Sequence, residues 1–293
     1  MKYRCRMPAD RPITLGPITS SDVGRVAAFL SANLNSRVTP EAWRRAMGPG
    51  WVEAPNHGFM LTDDDDVVGA YLAIYSQREI DGRQERFCNL AAWCVLEEHR
   101  SQGLKLVRAI LRQPGYTFTD LSPSGNVVPL NKRLRFAELD TATAAVPNLP
   151  WPVSGRVQVT SDLATIGRQL SGRDLEIFRD HAHAAAAHHV LVTDGGQSCY
   201  LIFRRDRRKR MPLFGSILYV SNPDLFHRAQ RQVSRHLLLR HRVPVTLAEL
   251  RVVGRRPRGA AMVPHPRPKM FKSDHVRADQ VDYLYSELTN VAW

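Results

Sequence analysis

The chain has 293 residues, of which 43% are apolar and 24% charged, a composition typical of a soluble globular protein long enough for two domains. It contains no run of about 18 apolar residues, so no transmembrane helix is expected. The N-terminal stretch MKYRCRMPADRP has basic residues without a following apolar core, so we do not expect a signal peptide. The four cysteines show no CxxC spacing, which predicts a reduced, cytoplasmic protein without a structural metal.

The net charge of +13 is concentrated in the second half. Residues 1–150 contain 18 Lys and Arg against 16 Asp and Glu, whereas residues 151–293 contain 23 against 12. Such an excess allows contact with an anionic membrane surface or with nucleic acid such as tRNA, the less favoured partner. The run RRDRRKR (204–210) is predicted to be a turn that either contacts anions or is simply solvated. Arg outnumbers Lys 35 to 6, a bias that genome composition alone can produce.

Apolar periodicity predicts alternating strands and helices in the first half. In chain order, we predict a strand at 11–19, helices at 20–34 and 39–48, strands at 58–63, 67–80 and 86–96, a helix at 103–113, a strand at 116–122, a short helix at 124–136 and a strand at 136–140. Thr39 and Pro40 are typical of a helix start. The acidic run 63–66 predicts a hairpin turn and no metal site, because four adjacent carboxylates cannot converge on one ion.

The second half repeats this order in shorter form. We predict a helix at 171–186, strands at 188–194, 198–205 and 211–221, a helix at 222–242, a strand at 243–250 and a C-terminal helix from 279. The repeated order predicts a structural duplication, although the two sequences do not match. The stretch 141–160 is rich in Pro and small residues, so we predict domains at 1–145 and 161–293 joined by a linker at 146–160.

The segment LEEHRSQGLKLVRAI (96–110) joins a predicted strand to a predicted helix. The first N–H groups of a helix have no internal partner, and the helix dipole adds positive charge there, so this position suits a phosphate. Arg100 and Lys105 add charge, and Gly103 allows a ligand to approach the backbone closely. From these residues alone, an ordinary strand-to-helix turn remains an open alternative.

The element order over about residues 12–140 resembles the GNAT acyltransferase family. The family's R/Q-x-x-G-x-G/A segment corresponds to Arg100–Lys105, and its later LYxKLGF-like segment to LNKRLRF (130–136). The resemblance implies an α/β fold of tandem GNAT-like domains, each a mostly antiparallel twisted sheet flanked by helices. The second domain is expected to be degenerate, because SNPDLFHRAQ (221–230) stands where the motif would be.

The resemblance also implies an activity. We expect acyl transfer from acetyl-CoA or another acyl-CoA to an amine on a small molecule or a polymer, with the second domain forming an acceptor wall or a homodimer contact. The implied coenzyme A contacts are Val95, Arg100, Ser101, Gln102, Gly103, Leu104, Lys105 and Ser124. Two positions depart from the family pattern. Lys105 stands where a small residue is expected, and Asn131 stands at the catalytic position where a proton-donating Tyr often occurs.

Acyl transfer to an amine needs a base near the strand ends. Glu98 is a candidate by position, as are its neighbours Glu97 and His99, and Asp120 at the end of the next strand is another. Cys94 could form a covalent acyl-enzyme, although a buried strand cysteine is the commoner role. Two alternatives stay open: a transferase like the Fem family, which takes its acyl group from aminoacyl-tRNA, and a non-catalytic GNAT-fold sensor that only binds coenzyme A.

Overall fold

The computed structural model describes residues 13–208 and 211–292. It is a mixed α/β structure with two seven-stranded sheets flanked by helices, which confirms the predicted fold class. Three features of the sequence analysis lie outside the described residues: the start of the predicted first strand at 11–12, Cys5, and residues 209–210 of the basic run. No helix of the described part of the chain is long and apolar enough to cross a membrane.

The first sheet follows the predicted order of elements. Its strands are β1 (Thr14–Pro17), β2 (Gly58–Asp63), β3 (Asp66–Ile80), β4 (Arg83–Val95), β5 (Thr117–Asp120), β6 (Ala137–Glu138) and, from near the C-terminus, β14 (Met270–Lys272). They are ordered β1-β2-β3-β4-β5-β14-β6. The accompanying helices are α1 (Val23–Asn33), α2 (Pro40–Met47), α3 (Gly103–Leu111) and α4 (Val127–Arg133).

Local chemistry explains the sharp boundaries in this half. The Thr39 side chain accepts a hydrogen bond from the Ala42 N–H and so caps α2, as predicted. The turn between β3 and β4 has positive φ at Asp81 (51°) and Gly82 (74°), the pair of left-handed residues that a type I′ hairpin requires. The acidic run also forms its predicted hairpin, because Asp63 pairs with Asp66 across the turn.

The second sheet repeats the topology of the first. Its strands are β7 (Thr143–Pro147), β8 (Gln158–Thr160), β9 (His188–Asp194), β10 (Gln197–Arg208), β11 (Met211–Val220), β12 (Val245–Glu249) and β13 (Ala261–Met262), ordered β13-β7-β12-β11-β10-β9-β8. Its helices are α5 (Leu163–Gln169), α6 (Gly172–His181), α7 (Pro223–Arg228), α8 (Gln230–His241), α9 (Leu250–Val253) and α10 (Glu287–Asn290). In each sheet a hairpin leads into a strand, a helical segment and a parallel partner strand, β4 with β5 and β11 with β12.

Three predicted elements differ from the structure. The stretch 141–160 contains two strands, β7 and β8, although its Pro-rich sequence predicted none. The predicted helix at 222–242 is two helices, α7 and α8. The predicted C-terminal helix is wrong: most of the segment is irregular, and Tyr285 has φ of 55°, which an α-helix does not tolerate. The domain boundaries at 145 and 161 stay a prediction.

The described part of the chain packs as two compact units. The first is made of residues 13–48, 54–73 and 92–114, and the second of 49–53, 74–91, 115–208 and 211–292. Fully buried side chains of the first unit include Val26, Leu30, Trp43, Leu61 and Ile110. In the second unit, one apolar cluster joins residues of β4, β11 and β14, and the residue after β5, to the C-terminal segment: Phe87, Leu121, Leu139, Leu218, Phe271, Val276, Val281, Tyr283 and Leu288. The C-terminal residues therefore belong to a core, even though they do not form the predicted helix.

Gly58, at the start of β2, is required by its surroundings. Its φ is 113°, and a Cβ added there would lie 2.1 Å from the Tyr71 carbonyl oxygen. We predict that Gly58→Ala lowers the free energy of unfolding by more than about 2 kcal/mol, through backbone strain and this overlap. Urea denaturation measures the change.

The matched control is Gly24→Ala in α1, where an added Cβ meets no atom within 4 Å. It should raise the free energy of unfolding by about 0.5–1 kcal/mol, because alanine loses less backbone entropy than glycine in a helix. A Gly58→Ala variant as stable as the wild type would contradict the claim that this position requires glycine.

Candidate active site

Strand β4 is irregular near its end, where the predicted cofactor contacts begin. Ala92 has φ of 54°, a conformation that few non-glycine residues adopt and that is typical of a bulge. The parallel pairing with β5 joins Phe87–Asn89 to Thr117–Thr119, whereas β4 continues to Val95. Nothing in the sequence predicts the irregular residue, since alanine carries no turn signal.

The predicted phosphate turn is helical. Residues Glu97–Gln102 form a 3₁₀-helix that runs directly into α3, and the Gly103 N–H donates to the Arg100 carbonyl oxygen. The Gly103 N–H is therefore used within the helix, and the coenzyme A contacts implied for 101–105 stay a prediction. Neither Leu96, which precedes the 3₁₀-helix, nor Gln102, which precedes α3, caps the helix with its side chain.

Gly103 serves packing rather than an unusual backbone conformation. Its φ is −56°, and a Cβ added there would lie 3.3 Å from Trp93 and 3.5 Å from Val95. Gly69 stands in the same relation to Val95, at 3.2 Å. Two glycines thus make room for the Val95 side chain, so Val95 supports the start of α3 through packing.

The charged side chains of this segment lie on its surface. Arg100 is exposed and lies 3.5 Å from the similarly exposed Glu97, an ion pair that stabilises little in water. Ser101, Leu104 and Lys105 are also exposed, and Gln102 is half-buried. The segment therefore presents two cations and a hydroxyl to solvent at a helix start, which suits an anionic ligand. The individual coenzyme A contacts stay a prediction.

Asp120 occupies the last position of β5 and is buried. Burial raises the pKa of its carboxyl group to about 7, because a carboxylate removed from water loses its hydration, and the neighbouring Glu287 acts in the same direction. A carboxyl group with such a pKa is divided between its two protonation states near neutrality. It can accept a proton and release it again, as a general base must.

Asn131 is the hydrogen-bond partner of Asp120. Its Nδ2 donates to Oδ2 of Asp120 over 2.8 Å, and this bond lowers the pKa that burial raises. Asn131 is the one fully buried residue among those of α4, whose residues 127–133 carry it to this position. The structure thus brings together two of the three predicted catalytic positions. Asn131 does not replace a proton donor; it holds the candidate base.

Glu287 is a buried carboxyl group near Asp120 that the sequence analysis missed. Ser122 Oγ donates to its Oε1 over 2.6 Å, and its backbone N–H donates to Oδ1 of Asn89 over 3.1 Å. Burial raises its pKa, so the neutral form is favoured. The sequence signal was weak, because Glu287 lies in the SELTN stretch, where a solvent-facing helical position is the ordinary interpretation.

The remaining candidates are less well placed for chemistry. Glu98 is exposed in the 3₁₀-helix, and His99 is half-buried. Ser124 lies in the loop before α4, not in the helix, and its carbonyl oxygen accepts the Val127 N–H. Burial raises the pKa of the Cys94 thiol, which disfavours the thiolate that a covalent acyl-enzyme needs.

The basic run does not form one exposed surface. Arg204 is buried inside β10, whereas the next residue, Arg205, is exposed. The strand alternation that separates them is the ordinary geometry of β-structure. The predicted solvated turn is therefore wrong for Arg204, which lies in a strand and is buried.

Comparisons with known proteins agree on the fold. No family model matches the chain, and no curated protein matches its sequence. A GCN5-related N-acetyltransferase from Anabaena variabilis superposes with a TM-score of 0.58 at 11% identity, covering 89% of this chain and 72% of that one. Another from Kribbella flavida gives 0.54 at 16% identity, covering 89% and 70%.

A third solved structure with a similar fold is that of another acyltransferase. The N-myristoyltransferase of Saccharomyces cerevisiae, solved with bound myristoyl-CoA, gives a TM-score of 0.50 at 12% identity and covers 98% of this chain and 91% of that one. Identities this low establish the architecture. Together with the two seven-stranded sheets, these matches confirm the resemblance seen in the sequence. The chain has the tandem fold of the GCN5-related N-acetyltransferases.

Proposed function

We propose that the protein is an acyl-CoA-dependent N-acyltransferase in which Asp120 is the general base. The observation that supports this most directly is the buried Asp120 carboxyl group, with its pKa near 7 and its hydrogen bond to Asn131. A general base that works at neutral pH needs a pKa near that range, and groups with strongly shifted pKa values are concentrated at functional sites.

The donor-binding part rests on the segment 97–105. Its two exposed cations, Arg100 and Lys105, and the hydroxyl of Ser101 fit the phosphates of coenzyme A by charge, although the Gly103 N–H is already used. The second half provides a contrast, because there the side chain of Asn222 accepts the Leu225 N–H and caps α7. In the first half neither Leu96 nor Gln102 caps with its side chain, so the support for a donor site there is the exposed positive charge.

The proposed chemistry assigns one proton transfer to this chain. Acyl-CoA supplies the acyl group as a thioester. Asp120, in its carboxylate form, takes the proton that the amine loses as its nitrogen bonds to the acyl carbon. Asn131 keeps the carboxylate oriented, and Asp120 passes the proton on to the departing thiolate or to water.

The first test separates the two candidate bases. Asp120→Asn should lower kcat by about 10²–10⁴-fold, the usual contribution of a general base, and should leave the melting-temperature shift produced by acetyl-CoA unchanged. Glu98→Gln is the matched control and should retain activity, since Glu98 is exposed. Thiol release from acetyl-CoA with a panel of amines measures both. A loss confined to Glu98→Gln would move the role to that residue.

The second test uses pH. The value of kcat/KM should rise with pH and level off above about 7, because only the carboxylate form of Asp120 accepts a proton. Asn131→Leu removes the donor that stabilises this form, so the midpoint should move to higher pH. A weakly basic acceptor such as a hydrazide keeps the acceptor's own titration below this range.

Lys132→Ala is the control for that experiment, because Lys132 is an exposed residue of the same helix that pairs with Glu138. The pH midpoint of kcat/KM in Lys132→Ala should match that of the wild type. If Asn131→Leu also left the midpoint in place, Asp120 would not be the titrating group.

The third test concerns the donor. Lys105→Glu should weaken acetyl-CoA binding about tenfold or more, because a charge-assisted contact contributes about 1.5–3 kcal/mol. Arg108→Glu, an equally exposed reversal one turn further along α3, should weaken it far less. Isothermal calorimetry at two salt concentrations measures both. Equal losses would indicate general electrostatics, and no acyl-CoA binding at all would refute the proposed donor.

A further inference from the structure

A small cavity lies in the second unit beside the end of β5. Its volume is about 80 Å³, which is room for several water molecules. Leu121 and Ser122 contribute to one wall. The charged residues of the lining are Arg204, Asp206, Glu249, Arg267 and Lys269.

Arg204 has too few hydrogen-bond partners for a buried guanidinium. Its side chain is 5% exposed, and its Nη1 donates to the Leu288 carbonyl oxygen over 3.2 Å. Its Nε lies 3.1 Å from Oδ1 of Asp206, but the N–H does not point at that oxygen. No hydrogen bond from Nη2 is found within 13–208 and 211–292. Leaving the buried Nε–H unpaired costs free energy, which a ligand with acceptor oxygens would recover.

The acids in the lining are already satisfied. Asp206 accepts a hydrogen bond from Ser216 in addition to its contact with Arg204. One oxygen of Glu249 accepts from Lys269 and the other from the Tyr283 hydroxyl. The Lys269 ammonium, buried and 3.5 Å from the centre of the Tyr283 ring, has three N–H donors, and Glu249 takes one of them. The cavity therefore has an excess of donors.

The charges lead to the same conclusion. Three cations and two anions line the cavity, and the third cation, Arg267, is exposed. Glu287, whose carboxyl group acts electrostatically on Arg204, is not among the residues that line the cavity, and burial raises its pKa. One negative charge with several acceptor oxygens would complete the lining. A carboxylate matches both requirements, and its two oxygens suit a guanidinium.

The cavity adjoins the proposed general base in sequence and in space. Asp120 immediately precedes Leu121 and Ser122 of the cavity wall, all within the second unit. We infer that the cavity binds the carboxylate of the acceptor, so that the acceptor is an amine that also carries a carboxylate. This inference rests on the proposed function for the identity of the second ligand, while the carboxylate site itself can be tested without acyl-CoA.

The experiment uses the full chain and matched pairs of probes. Glycine, β-alanine, 4-aminobutyrate, 6-aminohexanoate and leucine are each compared with the corresponding carboxamide, by melting temperature and calorimetry in the absence of acyl-CoA. At least one amino acid should bind at least tenfold more tightly than its carboxamide. The chain length of the amino acid that binds most tightly gives the spacing between amine and carboxylate that the site prefers.

Variants assign the binding to the cavity. Arg267→Glu alters an exposed residue, so it should fold, and it should weaken the best amino acid about tenfold. Arg204→Gln should weaken it further. Arg205→Ala, the exposed neighbour of Arg204 that lies outside the lining, should bind as the wild type does. Equal effects of Arg205→Ala and Arg267→Glu would contradict a specific site.

The outcomes separate this inference from the proposed function. If plain amines and carboxamides are acylated as well as amino acids, or if no amino acid binds, the carboxylate site is refuted and the transferase activity stands on its own assay. If amino acids bind through Arg204 and Arg267 but no acyl-CoA is consumed, the site is established and the transferase proposal fails.

Discussion

The account depends on the burial of one carboxyl group. Asp120 ends β5 in an interior that disfavours its charged form, and the Asn131 amide provides its hydrogen bond. Burial and the amide act in opposite directions on the pKa, and their balance leaves the group divided between its protonation states near neutrality. Without the surrounding apolar packing, Asp120 would be an ordinary surface carboxylate with no power to exchange a proton at neutral pH.

That interior is built largely by the C-terminal segment. Val281, Tyr283 and Leu288 pack in the apolar cluster that includes Leu121, and Glu287 reaches Ser122 and Asn89. The same segment supplies the carbonyl oxygen that holds Arg204 and the aromatic ring over which Lys269 lies. Residues far apart in sequence thus create both the dry surroundings of the candidate base and the donor-rich cavity beside it.

The sequence predicted most helices and strands because their apolar periodicity and their capping and turn residues act over a few neighbouring positions. Thr39, Pro40 and the hairpin residues Asp81 and Gly82 act within a few positions of themselves, so their effects are visible in the sequence. The candidate site depends on contacts that no local pattern reveals. In the sequence, Asn131 stands where a proton-donating Tyr often occurs, and only the structure shows its hydrogen bond to Asp120. Arg204 belongs to a basic run in the sequence, and only its position in a strand shows that it is buried.

The most direct measurement is the titration of the Asp120 carboxyl group itself, by ¹³C NMR of the folded protein with Asp120→Asn to assign the signal. The account predicts an apparent pKa near 7, well above the value of about 3.9 for a free aspartate. It also predicts a higher value in Asn131→Leu. An apparent pKa near 4 in the wild type would contradict the account, because Asp120 would then be an ordinary carboxylate.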